Sequence, residues 1–482
     1  MPITSLLDPD TAARNMAEIE PQYSPQEALV EAHRCLFCFD APCIKACPTG
    51  IDIPGFIKKI ASHNLTGSAR TILSSNILGG SCARVCPTSV LCEGACVMLD
   101  RDEKPIKIGR LQRYATDHVF DNDLQVLHPP EQKSGKRVAL IGGGPASLGC
   151  AAELALLGHD AVIFERKPEA GGLNTYGIAY YKLTPEMSLK EVELVKRLGV
   201  EIRTGVDVGT DITVAELEKE FDAIFLGVGL GHTYRLDIPG EDLPEVFEAL
   251  AFIEDLHVNP LHEVAVGKRV AVIGCGNTAI DAVTQAKRLG AEHSVIIYRR
   301  GERDMPAYLY EYGLAKRDGA EFIFNAVPVE VLEKDGHVCG LKLARTKVDD
   351  NGKLQVIAGS EFELPFDMVI KALGQEKMTD MLKSIVPDVN LTRNGCIERD
   401  AATGQTNVPH IFAGGDGANG GSEVVNAVGE GKKAARGIHR LFTNEAIEGP
   451  IQWTRMGVVG DKPVGSGLDH PIRVDEHETA FI

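Results

Sequence analysis

The sequence predicts an α/β protein: a helical N-terminal domain, then two nucleotide-binding domains, one inserted in the other. Three observations carry this. Eight of the 12 cysteines fall between Cys35 and Cys96, in a region without strand-like runs. An apolar strand, a glycine turn, a helix and a second strand follow one another from Arg137, and again from Lys268, which is the signature of a Rossmann-like unit. Late in the chain VPHIFAGGDGANGG supplies a further glycine-ended strand, placed to complete the first unit after the second has been inserted. The expected domains are 1–132 (helical), 133–265 and 373–445 (first nucleotide domain, in two parts), 266–372 (second nucleotide domain) and 446–482 (extended tail).

Bulk composition agrees. A length of 482 residues suggests about three domains. Hydrophobic residues at 44% and charged residues at 24% are the balance of an ordinary soluble protein. Fifty glycines exceed the usual share of about 7% and fit turns where backbone must approach a ligand closely. A net charge of -18 repels phosphate backbones and anionic lipid heads, so nucleic acid and membrane surfaces are not expected partners. No run reaches the roughly 18 apolar residues that span a bilayer. The start, MPITSLLDPDTAARN, lacks the basic end, apolar run and cleavage site of a secretory signal, so a cytoplasmic location is expected.

In the N-terminal region the cysteines sit between helical stretches such as IPGFIKKIASHN and IGRLQRYATDHVF. The first group is Cys35-x2-Cys38-x4-Cys43-x3-Cys47-Pro48, and the second is Cys82-x3-Cys86-Pro87-x4-Cys92-x3-Cys96. In a reducing compartment such clustering speaks for metal ligation rather than disulfides. Closely spaced soft thiolates suit iron cubanes, and in ferredoxin-like runs the fourth Cys, before Pro, crosses to the other cluster. One 4Fe-4S cluster then takes Cys35, Cys38, Cys43 and a Cys of the second group. The other takes Cys47 and the remaining ligands. A pair of zinc sites is the alternative. Cys150, Cys275, Cys339 and Cys396 read as plain buried thiols.

After the polar linker HPPEQKSGK (128–136), RVALIGGG, ASLGCAAELALLG and DAVIFER form the first βαβ unit. Gly142 permits the tight turn, and Gly144 lets backbone amides reach a pyrophosphate at the helix N-terminus. Ser147 stands where Gly or Ala is usual, and Glu165 ends the second strand, in place to accept from a ribose hydroxyl. The second unit carries Gly274-x-Gly276-x-x-Ala279. Its second strand ends in Tyr298-Arg299-Arg300, and arginine there favours a 2′-phosphate, hence NADPH, over two merely solvated side chains. FDAIFLGVGLG (221–231) and FDMVIKALGQE (366–376) are the strands that close each domain. In Gly414-Gly415-Asp416 the carboxylate can bond a ribityl hydroxyl, or simply cap the next helix. No Cys-x-x-Cys accompanies Cys275, which argues against a thioredoxin-reductase-type enzyme.

The strings CIKACPTGIDIPGFI, SSNILGGSCARVCPTSVLCEGACV and IGRLQRYATDHVF carry a resemblance over roughly residues 25–445. The chain resembles the small flavoprotein subunit of bacterial NAD-dependent dihydropyrimidine dehydrogenase and, more distantly, the glutamate synthase small subunit. The resemblance implies a glutamine ligand at Gln112. It assigns Cys35, Cys38, Cys43 and Cys96 to one cluster and Cys47, Cys86, Cys92 and Gln112 to the other, leaving Cys82 out; spacing alone would put Cys82 in. It further implies FAD contacts at Gly143, Pro145, Ala146, Glu165, Leu173, Lys182 and Asp416. Asn277, Thr278, Arg299 and Arg300 would contact NAD(P)H, with the choice between NADH and NADPH left open.

The expected activity is NAD(P)H oxidation, with hydride passed to FAD and electrons sent through two clusters to a partner. No FMN-binding barrel follows residue 445, so an FMN- and iron–sulfur-containing barrel subunit is the expected partner in a heteromer, reducing uracil or thymine. The alternative is a glutamate synthase small subunit or an NADPH:ferredoxin-type reductase. The tail, with the lone Trp453, is expected to dock on the partner.

Overall fold

The computed structural model describes residues 7–349 and 352–445, and the backbone of a short antiparallel hairpin formed by Gly457–Val459 and Lys462–Val464. The rest of the tail, Trp453 included, lies outside the described residues. By its internal contacts the chain forms two compact units. One comprises 21–171, 189–229 and 378–482, the other 1–20, 172–188 and 230–377.

The first unit joins the cysteine region to a nucleotide-binding fold. Helices Pro25–His33, Ile53–Ala61, Leu65–Ser75, Gly79–Val85 and Ile108–Asp121 pack around Phe56, Ile57, Ile72, Leu111 and Ala115. Their starts are set locally: Ser24 and Glu27 form a capping box, and Asp52 and Asn64 accept from the backbone N–H three residues on. Beyond them lies a five-stranded parallel sheet in the order Ile411–Ala413, Ala223–Leu226, Arg137–Ile141, Asp160–Glu165, Glu201–Thr204. The late strand pairs with Ala223–Leu226 and so completes the first nucleotide domain, as expected. Helices Pro145–Leu156 and Val424–Thr443 cover one face through Leu154, Val428, Ala435 and Ile438, while Leu217, Leu382 and Val386 cover the other. Burial on both faces is why these strands read as continuous apolar runs.

The second unit holds another five-stranded parallel sheet, ordered Val246–Glu248, Met368–Lys371, Arg269–Ile273, His293–Tyr298, Glu321–Phe324. Helices Ala249–Val258 and Asn277–Arg288 lie in the core on one face. An antiparallel sheet built on Ala326–Lys334 and His337–Val348 packs Val331, Leu341 and Leu343 against Ala271, Val295 and Val369 on the other.

The observed units depart from the expected boundaries at residues 1–20, 172–188, 230–265 and 373–377. The second nucleotide domain begins near residue 230, not 266, because Val246–Glu248 pairs with Met368–Lys371. That strand is three half-buried residues with no glycine turn, too weak a signal to read. The N-terminal segment up to residue 20 belongs with this second unit rather than with the cysteine region: Met16 is buried in its core and Ile19 N–H donates to Tyr181 O at 3.2 Å. Among the described residues no helix is long and apolar enough to cross a membrane.

Candidate functional site

The eight clustered cysteines sort into two cavities. Cys35, Cys38, Cys43 and Cys96 line one, with half-exposed Leu36 at its rim. Cys47, Cys82, Cys86 and Cys92 line the other, together with Gln112, Asn76 and Val425. Chain crossing of the kind anticipated is present: Cys47 leaves its own group for the second cavity, and Cys96 leaves its group for the first.

Among the described residues no three Cys, His, Asp or Glu side chains converge on a single ion, the convergence a zinc would need. Burial pushes the Cys43 thiol up to about 12, helped by neighbouring Cys35, Cys96 and Cys38. A hydrogen bond with Cys82 raises Cys86, and burial and the charges of Cys82, Cys92 and Cys47 add to it. Burial followed by Cys47 raises Cys92. Thiols that hold one another protonated can ionise together only around a cationic core, and an iron–sulfur cluster supplies one. The residues present fit that group. Gln112 is buried and its amide NH2 donates to Gly79 O at 2.7 Å, which leaves its oxygen as the end able to reach the cavity. The inner cavity thus offers five donors where a cubane takes four.

The first glycine turn, the one expected on the flavin side, is built as its motif requires. Gly142 has φ +91°, and a Cβ there would lie 2.9 Å from Gly227 O. Gly143 N–H donates to Glu165 Oε2 at 2.6 Å, and Glu165 Oε1 accepts from Lys167 N–H at 2.8 Å, so the acid ties the turn to the second strand. Gly144 and Pro145 start the helix whose free N–H groups face the turn. Ser147 is tolerated because its neighbour is Gly227, whose Cβ would fall 2.0 Å from the hydroxyl. Gly415 N–H donates to Glu430 Oε2 at 2.7 Å, Ser422 N–H donates to Asp416 Oδ1 at 3.1 Å, and a Cβ on Gly415 would be 2.9 Å from the Ala146 Cβ. The two glycine turns therefore meet at Ala146.

Helix Val424–Thr443 joins this turn to the inner cavity, which spacing did not reveal. Val425 lines the cavity, a Cβ on Gly429 would lie 2.9 Å from Pro48 O, and one on Gly431 would lie 2.0 Å from Ala146 O. The only advance sign was the small-residue run VGEGKKAARG. Lys432 on the same helix is buried; its Nζ donates to Ser74 O and Ser75 O, both at 2.9 Å, and lies 3.3 Å from Glu153. Burial pulls its pKa below the usual lysine value.

Glu191 was also missed. It accepts from Gly80 N–H at 2.7 Å, Ser81 N–H at 3.1 Å and the Ser81 hydroxyl, at the start of the helix that carries Cys82. Burial raises its pKa from 4.5 to about 7. Between those values only the folded chain holds the proton, so stability falls as pH rises from about 4.5 to 7, by about 3 kcal/mol in all, and is level above. Glu191→Gln is expected to remove that slope in chemical denaturation followed across this window; a slope equal to the parent's would refute the assignment.

In the second unit Gly274 has φ +126°, and a Cβ there would lie 2.2 Å from Ala372 O, while a Cβ on Gly276 would meet nothing within 4 Å. The open side is at the N-terminus of helix Asn277–Arg288. Asn277 Oδ1 accepts from Tyr308 N–H at 3.0 Å, and Thr278 is exposed. Arg299 and Arg300 stand exposed at the end of strand His293–Tyr298, where Thr346 and Asn325 hold their backbone carbonyls. Burial pushes Cys275 up to about 12, so it is an inert thiol.

Leu173 and Lys182 belong to this second unit, and Gly142, Gly143 and Gly144 to the other. Lys182 Nζ lies 2.5 Å from Asp281 and 2.6 Å from Glu311, all three nearly buried. Burial works against its charge, but the two carboxylates outweigh it and lift its pKa. Lys182→Met leaves two buried carboxylates facing each other, an expected loss of roughly 3–5 kcal/mol in denaturant melts; a loss below about 1 kcal/mol would refute the charged triad.

Residues 12–124 match the family described as dihydropyrimidine dehydrogenase domain II, 4Fe-4S cluster, and residues 136–431 match the pyridine nucleotide-disulphide oxidoreductase family. The NADPH small chain of glutamate synthase from Halomonas elongata is 36% identical over 89% of this chain and 93% of its own length. The Escherichia coli small chain is 36% identical over 87% and 93%. Mycobacterium tuberculosis FprA in complex with NADPH shares the fold at a TM-score of 0.52 and 20% identity, covering 64% of this chain and 85% of its own. These findings favour glutamate synthase over the pyrimidine enzyme that led the readings above. The chain belongs to the glutamate synthase small-chain family and is an NAD(P)H-dependent oxidoreductase that binds FAD and carries a 4Fe-4S domain.

Proposed function

We propose that this chain is the electron-input subunit of a glutamate synthase-type enzyme, working in a heteromer with a large chain that completes glutamate synthesis. FAD, when bound, accepts hydride from NAD(P)H and releases single electrons. The residues proposed to hold it are Gly142, Gly143, Gly144, Pro145, Ala146, Glu165, Leu173, Lys182, Gly415 and Asp416. Those proposed for NAD(P)H are Gly274, Gly276, Asn277, Thr278, Arg299 and Arg300. Two clusters are proposed, one on Cys35, Cys38, Cys43 and Cys96, the other on Cys47, Cys86, Cys92 and Gln112.

One observation carries the reading: a single helix, Val424–Thr443, touches both the flavin-side turn and the inner cysteine cavity. That adjacency favours the inner cavity as the flavin's neighbour, while the outer one, with exposed Leu36 and Phe39 near it, suits a partner. The test is to isolate the chain anaerobically, measure FAD, iron and sulfide, and identify the chain that co-purifies. Glutamate formation with a large amidotransferase chain supports the proposal. Gln112 in the inner cavity favours the second reading, in which an FMN-barrel chain co-purifies and uracil is reduced.

Arginine at the strand end suits a 2′-phosphate. Arg299→Ala with Arg300→Ala is expected to raise KM for NADPH by about tenfold, the equivalent of about 1.4 kcal/mol, and to leave KM for NADH nearly unchanged. Equal effects on both nucleotides in dye-reduction kinetics would show that these arginines do not read the phosphate.

A further inference from the structure

Asn76 lies in the turn between helices Leu65–Ser75 and Gly79–Val85, fully buried, and lines the inner cavity with Cys47, Cys86, Cys92 and Gln112. Its Oδ1 accepts from Leu78 N–H at 3.1 Å, and that bond fixes which end of the amide is oxygen. The other end, Nδ2, is buried and has no hydrogen-bond partner among the described residues. Leaving a buried amide donor unpaired costs about 1–3 kcal/mol, so such a group in a native fold calls for an acceptor. The turn is held firmly: Lys432 grips the carbonyls of Ser74 and Ser75, the residues just before Asn76.

Gln112 is the converse case. Its NH2 is engaged by Gly79 O, so its oxygen is the end left over. The two carboxamides thus bring opposite ends to one cavity: a lone pair, which suits iron, and an N–H, which suits sulfur.

We propose that Asn76 Nδ2 donates a hydrogen bond to a sulfur of the cluster held in the inner cavity, and that this bond raises the cluster's reduction potential. The inference rests on the iron–sulfur reading above. An N–H aimed at cluster sulfur stabilises the more negative, reduced form over the oxidised one. Asn76 would then be a tuning residue beside the ligands.

The full chain, purified anaerobically, is titrated reductively and followed by EPR, as wild type, Asn76→Ala and Asn76→Asp. Asn76→Asp keeps the acceptor for Leu78 and removes the amide donor. Iron and acid-labile sulfide should match wild type in both variants. The reduction equilibrium of one cluster should fall about tenfold, about 59 mV for one electron, while the other cluster stays put. In a second measurement the unmutated chain carries 15N only in asparagine, and pulsed EPR of the reduced protein should show a 15N coupling. A coupling that Asn76→Ala lacks belongs to Asn76. Wild-type iron content with unmoved potentials in both variants, or no asparagine coupling, would overturn the proposal alone. Wild-type chain with FAD but no iron or sulfide would overturn the cluster reading and this proposal with it.

Discussion

Replacing Cys86 by serine is expected to cost the chain about half of its iron and sulfide while FAD stays bound. Cys86 closes helix Gly79–Val85 and lines the inner cavity with Cys47, Cys92 and Gln112. A serine hydroxyl is a harder, far less acidic donor than the thiolate it replaces, and with Gln112 it would leave this cluster only two thiolates. The turns proposed to hold FAD, built on Gly142–Gly144 and Gly415, do not include Cys86, so the nucleotide-dependent half-reaction with a two-electron dye should persist within about threefold. Delivery of single electrons to a partner or to a one-electron acceptor should drop by roughly 100-fold or more, about 2.7 kcal/mol in barrier terms. Cys35→Ser at the outer cavity should likewise remove about half of the iron. Iron, sulfide and flavin assays on the same preparation check this; a Cys86→Ser chain with full iron would show that another donor, Cys82 foremost, completes that cluster.

Gly431→Val is expected to abolish FAD retention and to destabilise the chain by more than about 3 kcal/mol. Its Cβ would lie 2.0 Å from Ala146 O and 2.9 Å from Cys150 N, both backbone atoms in the helix that opens on the flavin-side turn. Backbone cannot swing aside as a long side chain can, so helices Val424–Thr443 and Pro145–Leu156 must separate, and overpacking of this kind costs 1–3 kcal/mol or more. Ala146 also abuts Gly415, so the displacement reaches both glycine turns at once. Flavin absorbance after gel filtration and a denaturant melt measure the two effects. Normal flavin content in a folded Gly431→Val chain would mean that the helix contact does not shape the FAD site.

The glycine turns were legible because each residue answers a local demand. Gly142 and Gly274 adopt positive φ beside a carbonyl that excludes a Cβ, and such positions announce themselves between an apolar strand and a helix. The cysteine groups were legible for a similar reason, since short spacings bring thiols together whatever the rest of the chain does. Less visible were groups whose roles depend on distant partners. Lys182, expected against FAD, sits in the second unit between Asp281 and Glu311, about 100 and 129 residues further along the chain. Val246–Glu248, a strand with no period of its own, is defined only by pairing with Met368–Lys371.

From sequence alone came the α/β class, the insertion of one nucleotide domain in the other, and the crossing of cysteines between two cavities; these depend on spacings and periodicities that survive without coordinates. Tertiary structure alone decided that Asn76 lines the inner cavity, that Glu191 and Lys432 hold the helix ends on either side of it, and that Gly431 packs on Ala146. Their significance lies in burial and in partners up to 358 residues away, as Lys432 is from Ser74. A buried charge or an unpaired amide acquires its meaning from what encloses it, and the enclosure exists only once helix Val424–Thr443 has closed over the cysteine helices.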